Sequence, residues 1–197
     1  MEAVIIDSGG ANLASLQFAL ERLGAAATVS CDASEIAAAP RVILPGVGSA
    51  ADAMQRLRRC GLAELLPSLD QPVLGICLGM QLLFDRSEEG MTECLGILPG
   101  TVGRLQAAPE RPVPHMGWNQ LTRPARDPLL EGIEAGEYFY FVHSYAAPAS
   151  EVTLAGAQYG EAISAVVRRA NFWGTQFHPE RSASAGARLL ANFLRLT

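Results

Sequence analysis

Pro72-Val73-Leu74-Gly75-Ile76-Cys77-Leu78-Gly79-Met80-Gln81-Leu82-Leu83-Phe84 is the stretch on which the fold turns. Residues 72–76 make a short apolar run of strand length, and residues 79–84 read as helical. Cys77 stands at the junction, with a glycine two residues away on either side. A glycine-x-nucleophile-x-glycine sequence between a strand and a helix has the form of a nucleophile elbow. A turn that sharp pushes the nucleophile out of the sheet only if its neighbours two residues away are small. The helix that follows directs its positive end at the sulfur and favours a thiolate. The backbone N–H of Leu78 is then positioned to bind an oxyanion. Taken alone, the same five residues also suit a glycine-flanked cysteine of the core.

Working outward, the first half alternates short apolar runs with amphipathic stretches. Residues 3–7 form a run ending at the polar turn Ser8-Gly9-Gly10, and Asn12 can cap the next helix. There Leu13, Leu16, Leu20 and Leu23 recur at helical spacing, and Gly24 stops the helix. Residues 26–30 and 41–44 read as strands, the latter ending in Pro45-Gly46-Val47-Gly48. Ser49 is placed to cap a helix that runs on through Met54 and Leu57. This alternation predicts an α/β fold with a mostly parallel central sheet flanked by helices. Such sheets put their sites beyond the carboxyl ends of the strands, where Cys77 and the PGVG turn both lie.

From 96 to 170 the chain is richer in glycine, proline and β-formers. Residues 137–142, 153–157 and 163–167 predict additional antiparallel strands, and 107–114 a proline-rich loop. Residues 172–177 predict a strand ending at His178-Pro179-Glu180. Residues 184–196 predict a closing helix with Leu189, Leu190, Phe193 and Leu194 inward. No linker is long enough to divide the chain, so residues 1–197 read as a single domain.

The composition narrows the function classes. The net charge is −5 and no basic stripe is present, so nucleic acid is not expected as a partner. The N-terminus lacks the order of a secretory signal, and no stretch approaches the ~20 apolar residues of a membrane span. A cytoplasmic protein with no membrane association is expected. The four cysteines match no zinc spacing and, in a reducing compartment, are not expected to pair. Cys31, Cys60 and Cys94 read as small buried apolar residues. No metal and no cofactor are expected, and no Walker sequence or dinucleotide fingerprint is present.

A thiolate nucleophile needs a base, and the base needs an orienter. Of the three histidines, His178 ends a predicted strand and Glu180 follows at i+2. In an extended segment those two side chains point the same way, so Glu180 can hold one ring nitrogen while the other faces Cys77. A surface histidine beside a solvated glutamate is the alternative. The Val47 amide can supply a second oxyanion donor, or the PGVG turn can be an ordinary strand-to-helix connection. Gln81 lies one helical turn past Cys77, where it can hydrogen-bond a substrate or simply face solvent. Among the aromatics at 138–145, Phe139 and Phe141 read as core. Trp118 is either a buried loop anchor or a partner-binding aromatic.

GICLGMQLLF around Cys77, PGVG at 45–48 and TQFHPE at 175–180 together resemble the glutamine amidotransferases with a Cys-His-Glu triad, over almost the whole chain. HMGWN at 115–119, YFVHSY at 140–145 and the GMQ that ends the elbow resemble, within them, the glutaminase subunits of imidazole glycerol phosphate synthase. The resemblance implies a flavodoxin-like glutamine amidotransferase fold and hydrolysis of glutamine to glutamate and ammonia. It implies Cys77 as nucleophile, His178 as acid/base, Glu180 as orienter, and Val47 and Leu78 at the oxyanion hole. It places Gly46, Gln81, Glu89, His143, Ser144 and Tyr145 against glutamine, and Asn12, Trp118, Tyr140 and Arg181 towards a partner. That partner is a cyclase subunit of TIM-barrel fold, forming a heterodimer and using the ammonia in histidine biosynthesis. Arg181 stands where the family commonly has Lys, and Ala11 where a Gly is more usual. The two-glycine turn suggests that the PGVG amide reaches its active orientation only when the partner carries its own substrate. Another synthase partner, a peptidase-like hydrolase and a binding module are the readings left open.

Overall fold

The computed structural model describes residues 2–7 and 13–197. The expected turn at Ser8-Gly9-Gly10 and the Asn12 cap lie outside the described residues. The first half runs β1 (Ala3–Ile6), α1 (Leu13–Arg22), β2 (Ala27–Ser30), α2 (Ala33–Ala38), β3 (Val42–Gly46), α3 (Ala50–Arg59), α4 (Leu62–Leu65), β4 (Val73–Cys77) and α5 (Leu78–Gln81). The ends of these elements follow local chemistry. Gly24, at φ 77°, donates to the Glu21 carbonyl while Ala25 donates back to Leu20, a glycine-terminated helix end. Ser49 caps α3 by accepting from the Asp52 N–H at 3.2 Å. The short helix α2 was not expected; Asp32 caps it by accepting from the N–H groups of Ser34 and Glu35.

The second half runs β5 (Phe84–Ser87), β6 (Thr92–Glu93), β7 (Leu98–Arg104), β8 (His115–Gln120), β9 (Tyr138–His143), β10 (Tyr145–Ala146), β11 (Thr153–Tyr159), β12 (Glu161–Arg169), β13 (Phe172–Thr175) and α6 (Ala183–Phe193). The main sheet has seven strands in the order β11-β12-β13-β4-β3-β1-β2. From β2 to β13 the pairs are parallel, and β12 and β11 extend the sheet antiparallel. A four-stranded sheet, β10-β7-β5-β6, and a two-stranded ribbon, β8-β9, complete the strands. Among the described residues no helix is long and apolar enough to cross a membrane.

β1 shows why the central strands read as continuous apolar runs. Ala3 and Ile5 join the core on one face of the sheet, Val4 and Ile6 the core on the other. A parallel strand covered by helices on both faces has no polar side to show. The same sandwiching sets β13 beside β4, with Phe172 opposite Val73 and Thr175 opposite Ile76. The ends of β3, β4 and β13 therefore share one rim.

Two expectations fail. The helix after Cys77 ends at Gln81 and does not reach Phe84. The Leu82 carbonyl accepts from Leu95, and the Leu83 carbonyl from Ile97 and Leu98, so the chain is drawn into β5 and paired with β7. The spare cysteines are also less buried than expected. Cys31 and Cys60 are exposed and Cys94 is half-buried. Each directly follows the last residue of an element, β2, α3 or β6, where the chain leaves the packed layers.

Candidate active site

Cys77 occupies a left-handed conformation, φ 54° and ψ −111°, and is almost wholly buried. A non-glycine residue there stores on the order of 1–3 kcal/mol of strain, held by the structure around it. Its flanking glycines are needed for space. A Cβ on Gly75 would sit 2.7 Å from the Gly79 carbonyl oxygen, and one on Gly79 would sit 1.8 Å from that of Leu44. The elbow is thus pressed onto β3, where Gly46 is the register partner of Cys77. Pairing of β3 with β4 is what carries the PGVG turn to the nucleophile.

His178 follows β13 and lines the same cavity as Cys77, close enough for the sulfur to bear on its ionisation. Its Nδ1 lies 2.8 Å from Glu180 Oε1, and both side chains are buried. The spacing rests on a different conformation from the extended one expected. Residues Pro179–Arg181 form a single 3₁₀ turn, and Glu180 reaches back to His178 from within it. The segment is pinned to β9. The His178 N–H donates to the Tyr140 carbonyl, and Ser182 Oγ donates to the His178 carbonyl while accepting from the Tyr140 N–H. Burial pulls the His178 imidazolium down. The hydrogen bonds and negative charges of Cys77 and Glu180 outweigh it and push its pKa up to about 10. The two anionic partners thus favour the protonated histidine.

A cavity of about 310 Å³ opens over the sulfur, of a size for a small ligand. Cys77, His178, Val47, Leu78, Gly46, Gln81, Glu89, His143, Ser144 and Tyr145 all line it, so residues spread over 133 positions of sequence, from 46 to 178, meet on one surface. Glu89 is held by the N–H of Ala50 at the start of α3, 2.7 Å from its Oε2. Gln81 is buried, not solvent-facing, and its Nε2 donates to the Tyr145 carbonyl at 2.7 Å. Gly48 and Pro114 line the cavity too and were not expected there. Among the described residues no cluster of three or more His, Cys, Asp or Glu side chains could hold a metal ion.

Two further buried polar residues escaped sequence reading. Gln176 donates to the Cys77 sulfur at 3.8 Å and accepts from Gln81 at 3.0 Å. Its signal was its place two residues before His178, on the same side of an extended segment. His115 stacks on Phe141 and Tyr159 and contacts His143 through Nδ1 at 2.9 Å. It heads the HMGWN segment, which carries part of the family resemblance and the setting of Trp118 but assigns His115 no role of its own. Burial pushes the pKa of His115 down to about 4. Burial, and the neighbouring His115 and His178, push that of His143 down to about 3, against the opposing pull of the Tyr145 carbonyl.

Beyond the cavity rim, three of the four expected interface residues come together. Trp118 lies on strand β8, not in a loop, and is 53% exposed. It meets Tyr140 edge-on, and the Arg181 guanidinium sits 4.9 Å over the Tyr140 ring. Met116 and Tyr138 are exposed on the same ribbon. Asn12 lies outside the described residues.

The model of the family "Glutamine amidotransferase class-I" matches residues 4–196. The protein named imidazole glycerol phosphate synthase subunit HisH of Xylella fastidiosa (strain Temecula1) is 53% identical, over 99% of this chain and 98% of its own. The protein of the same name from Shewanella oneidensis is 51% identical, over 99% and 96%. Among solved structures, a glutamine amidotransferase superposes with a TM-score of 0.75 at 21% identity, over 98% of this chain and 97% of its own. The structure of PurLQS from Thermotoga maritima gives 0.71 at 20% identity, over 98% and 96%. The solved structures share the mostly parallel sheet, while the family match and the 50%-level relatives span almost every residue, and the chain belongs to the class-I glutamine amidotransferase family.

Proposed function

We propose that Cys77, His178 and Glu180 act together to hydrolyse glutamine to glutamate and ammonia. Relatives at about half identity carry the name of a subunit of imidazole glycerol phosphate synthase. The chain accordingly serves as the glutamine amidotransferase subunit of that synthase, in histidine biosynthesis. The observation that carries the mechanism is the buried contact of Cys77 with a histidine whose other nitrogen is held by Glu180, at the floor of a cavity sized for an amino acid.

The chemistry follows from the charges. The Cys77 thiolate attacks the side-chain carbonyl carbon of glutamine. The developing oxyanion is met by the backbone amides of Leu78 and Val47, each such donor worth ~3–4 kcal/mol of transition-state stabilisation. His178, already protonated, gives its proton to the departing ammonia, and the C–N bond breaks to leave a glutamyl thioester. Water then loses a proton to His178 and hydrolyses the thioester, restoring the thiolate. Glu180 fixes the ring and compensates its positive charge throughout. Gly46, Gln81, Glu89, His143, Ser144 and Tyr145 hold the glutamine.

The partner in this reading is a cyclase subunit of TIM-barrel fold. It docks on the face that carries Trp118, Tyr140 and Arg181, with Asn12 as a further contact by family resemblance, and takes up the ammonia. The exposed aromatic ribbon supports a docking face there. The chain works as one domain, in the cytoplasm. The deciding experiment is glutamate release from glutamine by the chain, alone and with the cyclase subunit and its nucleotide substrate, beside Cys77→Ala. Release in the full mixture and none from the variant is the expected result. Release that ignores the cyclase would reject the partner assignment, and full activity in Cys77→Ala would reject the mechanism.

A further inference from the structure

The polar groups behind the sulfur have a direction that can be read from one end. The Tyr145 carbonyl can only accept. It receives Gln81 Nε2 at 2.7 Å and His143 Nδ1 at 2.8 Å. The first contact fixes which end of the Gln81 amide faces it. The same Nε2 lies 3.0 Å from Gln176 Oε1, so that end of Gln176 accepts. Both hydrogens of the Gln81 amide are then used, and the amide is locked. What remains of Gln176 is its Nε2, a donor, 3.8 Å from Cys77 Sγ. The amide is buried, and the Cys77 sulfur is the acceptor that its nitrogen meets.

Two groups besides His178 thus meet the sulfur, and they favour opposite forms. The Val142 carbonyl, 3.7 Å away, can accept only from a thiol. The Gln176 amide donates, so its contact strengthens when the sulfur is anionic. Resting on the glutaminase reading above, we propose that Gln176 is a catalytic residue: its side-chain amide donates to the Cys77 thiolate and holds the sulfur for attack, with Gln81 as the positioning residue that locks the amide in that orientation. The backbone N–H of Gln176 is bonded to the Ala165 carbonyl, which anchors the residue from the neighbouring strand independently of its side chain.

The test is the rate of Cys77 alkylation by iodoacetamide against pH, read by mass spectrometry on the full chain. Gln176→Leu removes the donor. Gln176→Glu keeps the shape and the acceptor for Gln81 but sets a carboxylate beside the sulfur. The alkylation midpoint should rise by about one pH unit in Gln176→Leu, the tenfold effect of one hydrogen bond to a charged group, and further in Gln176→Glu. With the cyclase present, kcat for glutamine hydrolysis by Gln176→Glu, which keeps the Gln81 contact, should fall at least about tenfold while KM stays within about twofold, since the amide touches the nucleophile and not the substrate. A purely structural role would leave the midpoint of any folded variant where it is in the wild type, and that result overturns the proposal. Wild-type protein labelled at its glutamine side-chain nitrogens gives an answer even if neither variant folds. One amide signal should move with the alkylation midpoint, and if none does the proposal fails. Cys77→Ala keeps the two readings apart. Full turnover in that variant rejects the glutaminase mechanism itself, whereas loss there with unshifted Gln176 variants rejects only the role of Gln176.

Discussion

The ionisation of His178 depends on two anionic neighbours, so removing the charge of one should show directly in the pH profile. Glu180→Gln keeps a hydrogen-bonding group at 180 and removes its charge. With burial less strongly opposed, the imidazolium gives up its proton at lower pH, and the alkaline limb of kcat/KM moves down. Activity near neutrality should fall roughly ten- to hundredfold. An unmoved alkaline limb would show that Glu180 does not set the charge of His178. The other two histidines act on stability. In the folded chain His115 and His143 titrate at about 4 and about 3, below their ordinary value near 6.5. Between those values the unfolded chain binds protons that the folded chain refuses, so stability falls as pH falls below about 6.5. The slope reaches at most about 1.4 kcal/mol per pH unit for each histidine. Thermal melts from pH 7 to pH 5 should record a declining Tm. In His115→Gln, which can still donate to His143, the decline should be shallower; an equal decline would mean that His115 is not among the groups responsible.

At the scale of elements, the elbow and the cap of α3 make separate demands. Gly79→Ala would drive a methyl into the Leu44 carbonyl, which is backbone and cannot step aside. Either α5 lifts from β3 or the strand pair opens, at a cost of about 2 kcal/mol or more. Urea unfolding should show the loss, and a midpoint equal to wild type would mean that the elbow is looser than its contacts imply. Ser49→Ala removes one hydrogen-bond acceptor at the start of α3, worth about 1 kcal/mol. For a chain of this length that lowers Tm by about 2–4 °C, readable by calorimetry. The two helix ends also explain why some boundaries were legible and others were not. Ser49 and Gly24 act within one turn of their own position, so they are visible as residue types. The stop of α5 at Gln81 comes from Leu95, Ile97 and Leu98 claiming carbonyls at 82 and 83. No feature within residues 78–84 announces that competition.

For the molecule as a whole, the β8-β9 ribbon is where the chain offers apolar surface. Trp118 is half exposed and contacts Tyr140 only edge-on, so its removal should cost the fold little. Trp118→Ala should weaken association with the cyclase subunit by roughly thirtyfold, the 2 kcal/mol typical of a buried aromatic anchor, with Tm unchanged. Calorimetric titration of the two subunits measures this, and equal affinity would move the docking face elsewhere. The sequence by itself determined the apolar strands, the Ser49 cap and the Gly24 stop, the glycine-flanked Cys77 and the His178–Glu180 pair, because each rests on chemistry acting over a few residues. Tertiary structure alone decided that β13 lies against β4, which sets a histidine 101 positions further along the chain against the cysteine (77 to 178). It also decided that Glu180 reaches His178 from a 3₁₀ turn, that Gln81 is locked between Tyr145 and Gln176, and that Cys31 and Cys60 face outward. Those outcomes depend on strand order and on which buried donor finds which acceptor, and both are settled between segments far apart in the chain.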